Sequence, residues 1–220
     1  MNETIKLTIA VPTAGRVNAS FAYSLAGMVS SFAGRGMPTR PEAALEVKMD
    51  VIESSVIHSN RCKLVRRALD SEQTHLIFLD DDMTFEPNVI EILLGRRHPI
   101  VVTNYLIKTE DEQFVAVDLN SQRVATRKDS TGLQKIMYSG FGLSCFEMDV
   151  FKRTPQPWFL PKFIAEENTY TTEDMPFFER VREAGFDVLL DHDASKLVAH
   201  VGRYTWRWDK PPLTVKTPEN

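Results

Sequence analysis

Three consecutive carboxylates, Asp80, Asp81 and Asp82, directly follow the apolar run at residues 76–79. Ionised carboxylates repel one another at this spacing, and burying one without a partner is costly. Hard divalent cations bind such clusters of oxygen ligands. The pattern therefore indicates a candidate metal site, and a solvated acidic turn is the alternative.

Two later segments carry further reactive side chains. Glu173 and Asp174 stand where a helix is predicted to begin, so they could act on a substrate or simply cap the helix. His200 follows a short apolar run, where it could be a metal ligand or a core histidine.

Apolar spacing predicts the elements that position these groups. Strands are predicted at residues 5–11, 44–52, 76–79, 100–103, 136–146 and 187–190, with possible antiparallel pieces at 113–119 and 123–127. Helices are predicted at residues 18–32, with Asn18 as the N-cap, and at 59–71, 87–95, 148–153 and 172–184. Strands alternating with helices indicate an α/β fold whose ligand-binding loops follow the carboxyl ends of the strands.

Length and composition set the broad class. The 220 residues, 43% hydrophobic and 25% charged, are typical of one soluble domain, here with a mobile tail at about residues 207–220. A net charge of −4 gives no global attraction for nucleic acid. Cys62 and Cys145 are too far apart for a zinc motif and are expected to be reduced and buried.

The sequence also bears on location. No apolar run approaches the roughly 18 residues of a membrane span, and the opening MNETIKLTIA is too short and too acidic for a signal peptide. We therefore expect no membrane span and a cytoplasmic location.

The segment FLDDDM resembles the Asp-x-Asp signature of GT-A glycosyltransferases, especially those of family 2. The resemblance implies a GT-A fold, with a Rossmann-like mixed sheet flanked by helices. It also implies Mn²⁺ or Mg²⁺ held against the diphosphate of a nucleoside diphosphate sugar. Asp82 is then the direct ligand, Asp80 faces the ribose or the metal, and Asp81 lies on the donor side.

Two more segments match the donor half of that family. IAVPTAGR resembles its first strand and nucleotide-binding loop, which places Pro12, Thr13 and Arg16 beside the base and ribose. Asn60 and Arg61 stand where relatives carry an Arg-Asn pair, here in reversed order. Arg61 is expected to face the diphosphate, or else to be a surface residue.

Further segments match the acceptor and metal sides. TTEDMPFFERVREAGFDVLLD resembles the acidic acceptor motif, which implies Asp174 as general base and Glu173 as the residue that positions hydroxyls. KLVAHVG resembles the strand whose histidine, His200, completes a metal site with Asp80 and Asp82. In YSGFGLSCFEMDVFKR, Gly140 and Gly142 would let the backbone approach the donor sugar, or else form a bulge.

The implied reaction is hexosyltransferase-like: a sugar moves from a nucleoside diphosphate sugar, with UDP the expected nucleotide, to a hydroxyl group with inversion. The acceptor is left open among a glycan, a small molecule, a protein and a modified DNA base. RYTWRWDK, at residues 203–210, either binds that acceptor or packs on the domain. The alternatives are a nucleotidyltransferase, which VPTAGRV fits poorly because it has one Gly and one Arg, and a non-catalytic glycan- or nucleotide-binding relative.

Overall fold

The structure is a computed structural model that describes residues 4–35, 39–109, 113–202 and 205–209. Its helices are α1 (Ala19–Arg35), α2 (Ile57–Asp70), α3 (Val89–Gly95), α4 (Met148–Arg153), α5 (Asp174–Glu183) and α6 (His192–Ser195). Its strands are β1 (Thr4–Thr13), β2 (Ala44–Glu53), β3 (His75–Leu79), β4 (Met83–Phe85), β5 (Ile100–Val102), β6 (Leu133–Ile136), β7 (Leu143–Glu147), β8 (Phe163–Ile164), β9 (Thr169–Tyr170), β10 (Val188–Asp191), β11 (Val198–Val201) and β12 (Thr205–Trp206).

Seven strands form a mixed sheet in the order β2-β1-β3-β7-β5-β10-β6. The strands β2, β1 and β3 run parallel, as do β5 and β10. Between them β7 is antiparallel to both neighbours, and β6 is antiparallel to β10 at one edge. The predicted α/β fold with a mixed sheet and flanking helices is confirmed.

Both faces of the central strands are buried. Ile77 and Leu79 of β3 face the same apolar cluster as Phe21 and Met28 of α1. Phe78, on the opposite face, lies in a cluster of aromatic rings with Phe141, Phe146, Phe151 and Phe159. Alternate side chains of a strand point to opposite faces, so a central strand covered on both sides is apolar throughout.

A second sheet, in the order β12-β11-β4, lies against the acidic turn. Its strand β4 starts one residue after Asp82 and pairs antiparallel with β11, where Met83 is opposite His200. The apolar pattern does not predict a strand as short as β4. This pairing brings residue 200 beside the aspartates.

Three sequence predictions differ in detail from the structure. Residues 136–146 do not form one strand: β6 and β7 are separate strands, and residues 137–142 cross between them. Residues 113–119 and 123–127 contribute only isolated bridges, such as the one between Val117 and Arg123. Cys145 is buried and free as expected, whereas Cys62 is free but only half-buried.

The prediction of a mobile tail falls mainly outside the described residues, which leave out 203–204 and 210–220. Of the tail, residues 207–209 are described, and the Trp208 indole donates a hydrogen bond to the carbonyl of Lys196 at 3.1 Å. Among the described residues, no helix combines the length and apolar character that crossing a membrane would require.

Candidate functional site

The acidic turn connects β3 with β4 at the carboxyl edge of the main sheet. Its main chain is anchored on three sides. The amide of Asp80 donates to the carbonyl of Gly142 at 2.9 Å, the amide of Asn18 donates to the carbonyl of Asp81 at 3.3 Å, and the amide of Val201 donates to the carbonyl of Asp82 at 2.7 Å. The turn is thereby held between the start of α1, the start of β7 and the end of β11.

His200 and Asp82 are brought together by this arrangement. His200 Nε2 lies 3.3 Å from Asp82 Oδ2, and His200 Nδ1 lies 3.1 Å from the carbonyl oxygen of Leu106. A carbonyl oxygen can only accept, so Nδ1 carries a hydrogen. In a neutral imidazole, Nε2 then directs its lone pair towards the carboxylate. A hydrogen on Nε2, or a metal ion held between Nε2 and Oδ2, would make this contact attractive.

Lys108 also reaches Asp82, and its ammonium forms an ion pair with the same carboxylate oxygen, Oδ2. Burial alone would raise the pKa of Asp82, but the hydrogen bonds from His200 and Lys108 outweigh it and lower that pKa to about 2. Asp82 is therefore an anion at neutral pH and is surrounded by positive or hydrogen-bonding partners.

The donor set suits the implied divalent ion in part. A carboxylate oxygen and an imidazole nitrogen are ligands that Mn²⁺ accepts, and the Nδ1 hydrogen bond to Leu106 is the backing partner usual for a metal-bound histidine. Within the described residues, however, no three Asp, Glu, His or Cys side chains are grouped as a metal site requires. Asp82 and His200 fit the ion, and Asp80 as a third ligand stays a prediction.

Asp80 is instead paired with Arg61, which also binds Glu173. Arg61 Nη2 lies 2.8 Å from Asp80 Oδ1, and Arg61 Nε lies 3.0 Å from Glu173 Oε1. The guanidinium also stacks on the ring of Phe141, 4.6 Å from its centroid. Arg61 thus joins the acidic turn to the acidic start of α5.

The environment of Arg61 keeps it charged. The side chain is only 4% exposed, and burial by itself would lower its pKa. The charges of Asp80 and Glu173 outweigh that effect and raise the pKa. Arg61 is therefore not the surface residue that the sequence left open, and its contact with a diphosphate stays a prediction.

Asp174 is the first residue of α5, beside Glu173. Its Oδ1 accepts hydrogen bonds from the Thr172 hydroxyl and, at 2.8 Å, from the amide of Met175. Burial raises the pKa of Asp174 more than these bonds lower it. A raised pKa favours proton acceptance, and the role of Asp174 as general base stays a prediction.

The residues predicted to lie beside the base and ribose are at the end of β1 and in the loop that follows it. Pro12 and Thr13 are buried at the end of β1, and Arg16 is exposed. Asn60 links the end of β1 to the end of β2, because its side-chain amide donates to the carbonyls of Thr13 at 3.5 Å, Ile52 at 3.3 Å and Ser54 at 2.9 Å. In the reversed Asn-Arg pair, Asn60 therefore supports the loops and Arg61 faces the carboxylates.

Gly140 and Gly142 have a steric role within the protein. A Cβ at Gly142 would lie 2.6 Å from Tyr105 Cζ, and one at Gly140 would lie 2.3 Å from the Tyr105 hydroxyl oxygen. The Tyr105 ring itself contacts the His200 ring, with centroids 5.2 Å apart. The glycines make room for the tyrosine that packs against His200, which neither sequence interpretation of these glycines included.

The candidate site does not coincide with the cavity described here. A cavity of about 440 Å³ lies between α1 and strands β4 and β11, and its lining includes Tyr23, Phe85 and Arg207 but none of the carboxylates described above. The site is assigned from the chemistry of its side chains and their convergence at the carboxyl edge of the sheet.

Comparison with known proteins gives the fold. Among the solved structures that match, we describe two that are similar over most of the chain. A197 from STIV has a TM-score of 0.57 and 13% identity and covers 99% of this chain and 100% of its own. The catalytic domain of Drosophila beta1,4galactosyltransferase 7, in complex with xylobiose, has a TM-score of 0.51 and 14% identity and covers 91% of this chain and 71% of its own. The chain has a GT-A-like fold.

Sequence comparison adds no family to this GT-A-like fold. No family model matches the chain, and no curated protein matches it. At 13% and 14% identity, the two structural matches speak for the fold alone.

The sequence did not predict three residues of the candidate site: Lys108, Tyr105 and Leu106. They follow β5, whose carboxyl end lies at the same sheet edge as the aspartates. The rule that ligand-binding loops follow the carboxyl ends of strands applies to this loop as well as to the aspartates. The pairing of Lys108 with Asp82, however, depends on long-range structure that no local pattern encodes.

Proposed function

We propose that this protein is a metal-dependent glycosyltransferase that moves a sugar from a nucleoside diphosphate sugar, with a UDP-sugar as the expected donor, to a hydroxyl acceptor with inversion. The observation that carries the proposal is the approach of His200 Nε2 to Asp82 Oδ2 at 3.3 Å, at the carboxyl edge of a GT-A-like sheet. Neither His200 nor Asp82 alone would indicate a cation site. Together they provide a cation-binding pair where donors bind in such folds.

The chain's residues divide the work as follows. Asp82 and His200 would hold Mn²⁺ or Mg²⁺, which when bound supplies positive charge to stabilise the departing diphosphate. Pro12, Thr13, Arg16 and Asp81 are proposed to line the nucleotide.

The acceptor proton is assigned to Asp174. Glu173 Oε1 is engaged by Arg61, so this oxygen is committed to a structural bond. The carboxyl of Asp174 has the raised pKa expected of a base. An acceptor hydroxyl within hydrogen-bond reach of Asp174 would lose its proton to this carboxylate as its oxygen attacks the anomeric carbon, and Glu173 would orient the hydroxyl groups nearby.

The decisive experiment is turnover of a panel of nucleotide sugars, with and without Mn²⁺, followed by mass spectrometry. Release of a nucleoside diphosphate and free sugar, lost in Asp174→Asn and kept in the surface variant His98→Ala, supports the transferase. Binding without release would favour the non-catalytic relative. Absence of both binding and release for every donor would overturn the proposal.

A further inference from the structure

Strand β2 forms an open edge of the main sheet. It stands at the end of the strand order, and β1 is its one neighbour in the part of the chain that the structure describes. Three large apolar side chains on this strand are exposed: Val47 by 43%, Met49 by 51% and Val51 by 46%. Long apolar edges of this kind favour pairing with another strand.

These side chains extend a face of the core. In the parallel register, Leu7 is beside Val47, Ile9 beside Met49, and Val11 beside Val51. The three β1 residues are buried in the cluster that also contains Phe21 and Met28 of α1. The side chains of Val47, Met49 and Val51 therefore extend the apolar surface that α1 covers, but they lie beyond the helix.

The backbone of the same residues is directed outward. The amide of Ser54 donates to the carbonyl of Thr13 on β1 at 2.9 Å. The N–H and C=O groups of successive strand residues point to alternate sides, so the even-numbered positions of β2 face β1. Positions 47, 49 and 51 consequently direct both hydrogen-bonding groups to the open edge.

We propose that β2 pairs antiparallel with β2 of a second copy of this chain, about a two-fold axis at Met49. In this register Val47 of one copy is opposite Val51 of the other, and Lys48 is opposite Asp50, whose Oδ1 also binds Arg67 Nη1 of its own chain at 2.8 Å. The pair of Lys48 with Asp50 occurs twice, because the two-fold axis repeats every contact between the copies. Both main sheets then join into one.

The charge pattern selects this register and this occupant. Shifting the axis to Lys48 would place Glu46 opposite Asp50 and Lys48 opposite itself, and like charges directly opposite are destabilising. Shifting it to Asp50 would place that carboxylate opposite itself. An axis at Val47 would pair Glu46 with Lys48 but would leave residues 51–53 without partners. In the register about Met49, every residue from 45 to 53 has a partner and no like charges are opposite one another, so β2 can pair with itself.

The first test is sedimentation of the full chain over the concentration range that its solubility allows. The wild-type chain is expected to reach a dimer. Met49→Lys places two ammonium groups at the axis and is expected to give a monomer, whereas Leu119→Lys, at a site 49% exposed elsewhere, leaves the dimer intact. A wild-type chain that remains monomeric, or a Met49→Lys variant that still dimerises, would overturn the proposal.

A charge exchange tests the register. Lys48→Glu alone sets carboxylates against Asp50, and Asp50→Lys alone sets ammonium groups against Lys48, so each is expected to be monomeric. An equimolar mixture restores both opposite-charge pairs and is expected to form a heterodimer, measured with one chain carrying a mass tag. Circular dichroism confirms that each variant folds. If folded variants do not associate when mixed, the proposed pairing is wrong.

Discussion

His200 Nε2 lies 3.3 Å from Asp82 Oδ2, although 118 positions of sequence separate the two residues. The contact exists because β11, which carries His200, pairs with β4 directly after the acidic turn. The imidazole is oriented on its far side by the Leu106 carbonyl and packed edge-on against Tyr105. Such a fixed ring loses little freedom on binding a cation, which is the physical basis of the proposed site.

Replacing His200 by Ala is expected to weaken Mn²⁺ binding by about tenfold or more, because one of two protein ligands is removed. Isothermal titration of Mn²⁺ in the presence of UDP measures this loss without requiring turnover. His98→Ala, on the exposed surface, serves as the matched control. Equal Mn²⁺ affinity for the two variants would remove His200 from the cation site.

Replacing Lys108 by Met is expected to strengthen Mn²⁺ binding in the absence of nucleotide. The Lys108 ammonium occupies the Asp82 oxygen that the ion needs, so the ion pair must open before Mn²⁺ binds. Both side chains are partly exposed, and such pairs contribute about 0.5–1 kcal/mol, which corresponds to about two- to fivefold in affinity.

Titration of the Lys108→Met variant with Mn²⁺ checks the direction of that change. Lys152→Met, at an exposed position of α4, gives the same total charge and provides the comparison. Weaker Mn²⁺ binding in Lys108→Met than in Lys152→Met would show that Lys108 assists the cation instead of competing with it.

Replacing Arg61 by Met is expected to destabilise the fold by about 3 kcal/mol, because it leaves Asp80 and Glu173 as uncompensated carboxylates. Arg61→Lys should recover only part of this, since an ammonium cannot bind both carboxylates while stacking on Phe141. Urea unfolding gives the free energies. Arg66→Met on the exposed face of α2 should change stability by no more than about 0.5 kcal/mol, and a similar loss in both variants would refute the bridging role.

Replacing Asp174 by Asn is expected to lower the transfer rate by about 10²- to 10⁴-fold while leaving donor binding unchanged. The Asn carbonyl can still accept the hydrogen bonds from Thr172 and Met175, so the fold is preserved. In the wild-type protein, the proposed transfer rate should fall as the pH drops through the raised pKa of Asp174, because the carboxylate becomes protonated. Full activity of Asp174→Asn would assign the base elsewhere.

The raised pKa of Asp174 also affects the stability of the fold, which should decrease over the pH range in which the transfer rate increases. Since folding raises the pKa of Asp174 above 3.8, the folded state binds this proton more tightly than the unfolded chain does. The resulting stabilisation is complete below the unfolded pKa and is lost as the pH rises through the folded pKa. Asp174→Asn should therefore be more stable than the wild type at neutral pH, and thermal unfolding at pH 4 and pH 7 would show the difference growing with pH.

The elements with strong local patterns were predictable from the sequence. The run at residues 76–79 is apolar on both faces because it lies inside the sheet, and the helix predicted at 59–71 corresponds closely to α2. Residues 136–146 misled the prediction because the whole stretch is rich in apolar and small residues. Their burial comes from β6, β7 and a crossing segment in different places, which a continuous pattern cannot distinguish.

The residues of the candidate site were predictable by type but not by partner. Asp82 and His200 were chosen from the sequence resemblance, and the fold brings them together. The Arg61 bridge and the Lys108 ion pair were not foreseen, because each joins elements far apart in the chain. The strand order that places these elements side by side is a property of the whole sheet.

The three main-chain hydrogen bonds of the acidic turn limit how this protein can diversify. Because the backbone at Asp80, Asp81 and Asp82 is tied to three separate elements, a shift of the carboxylates would break bonds in all of them. New specificities are therefore expected to arise from changes in surface connections such as residues 160–171, while the charged residues of the turn stay the same.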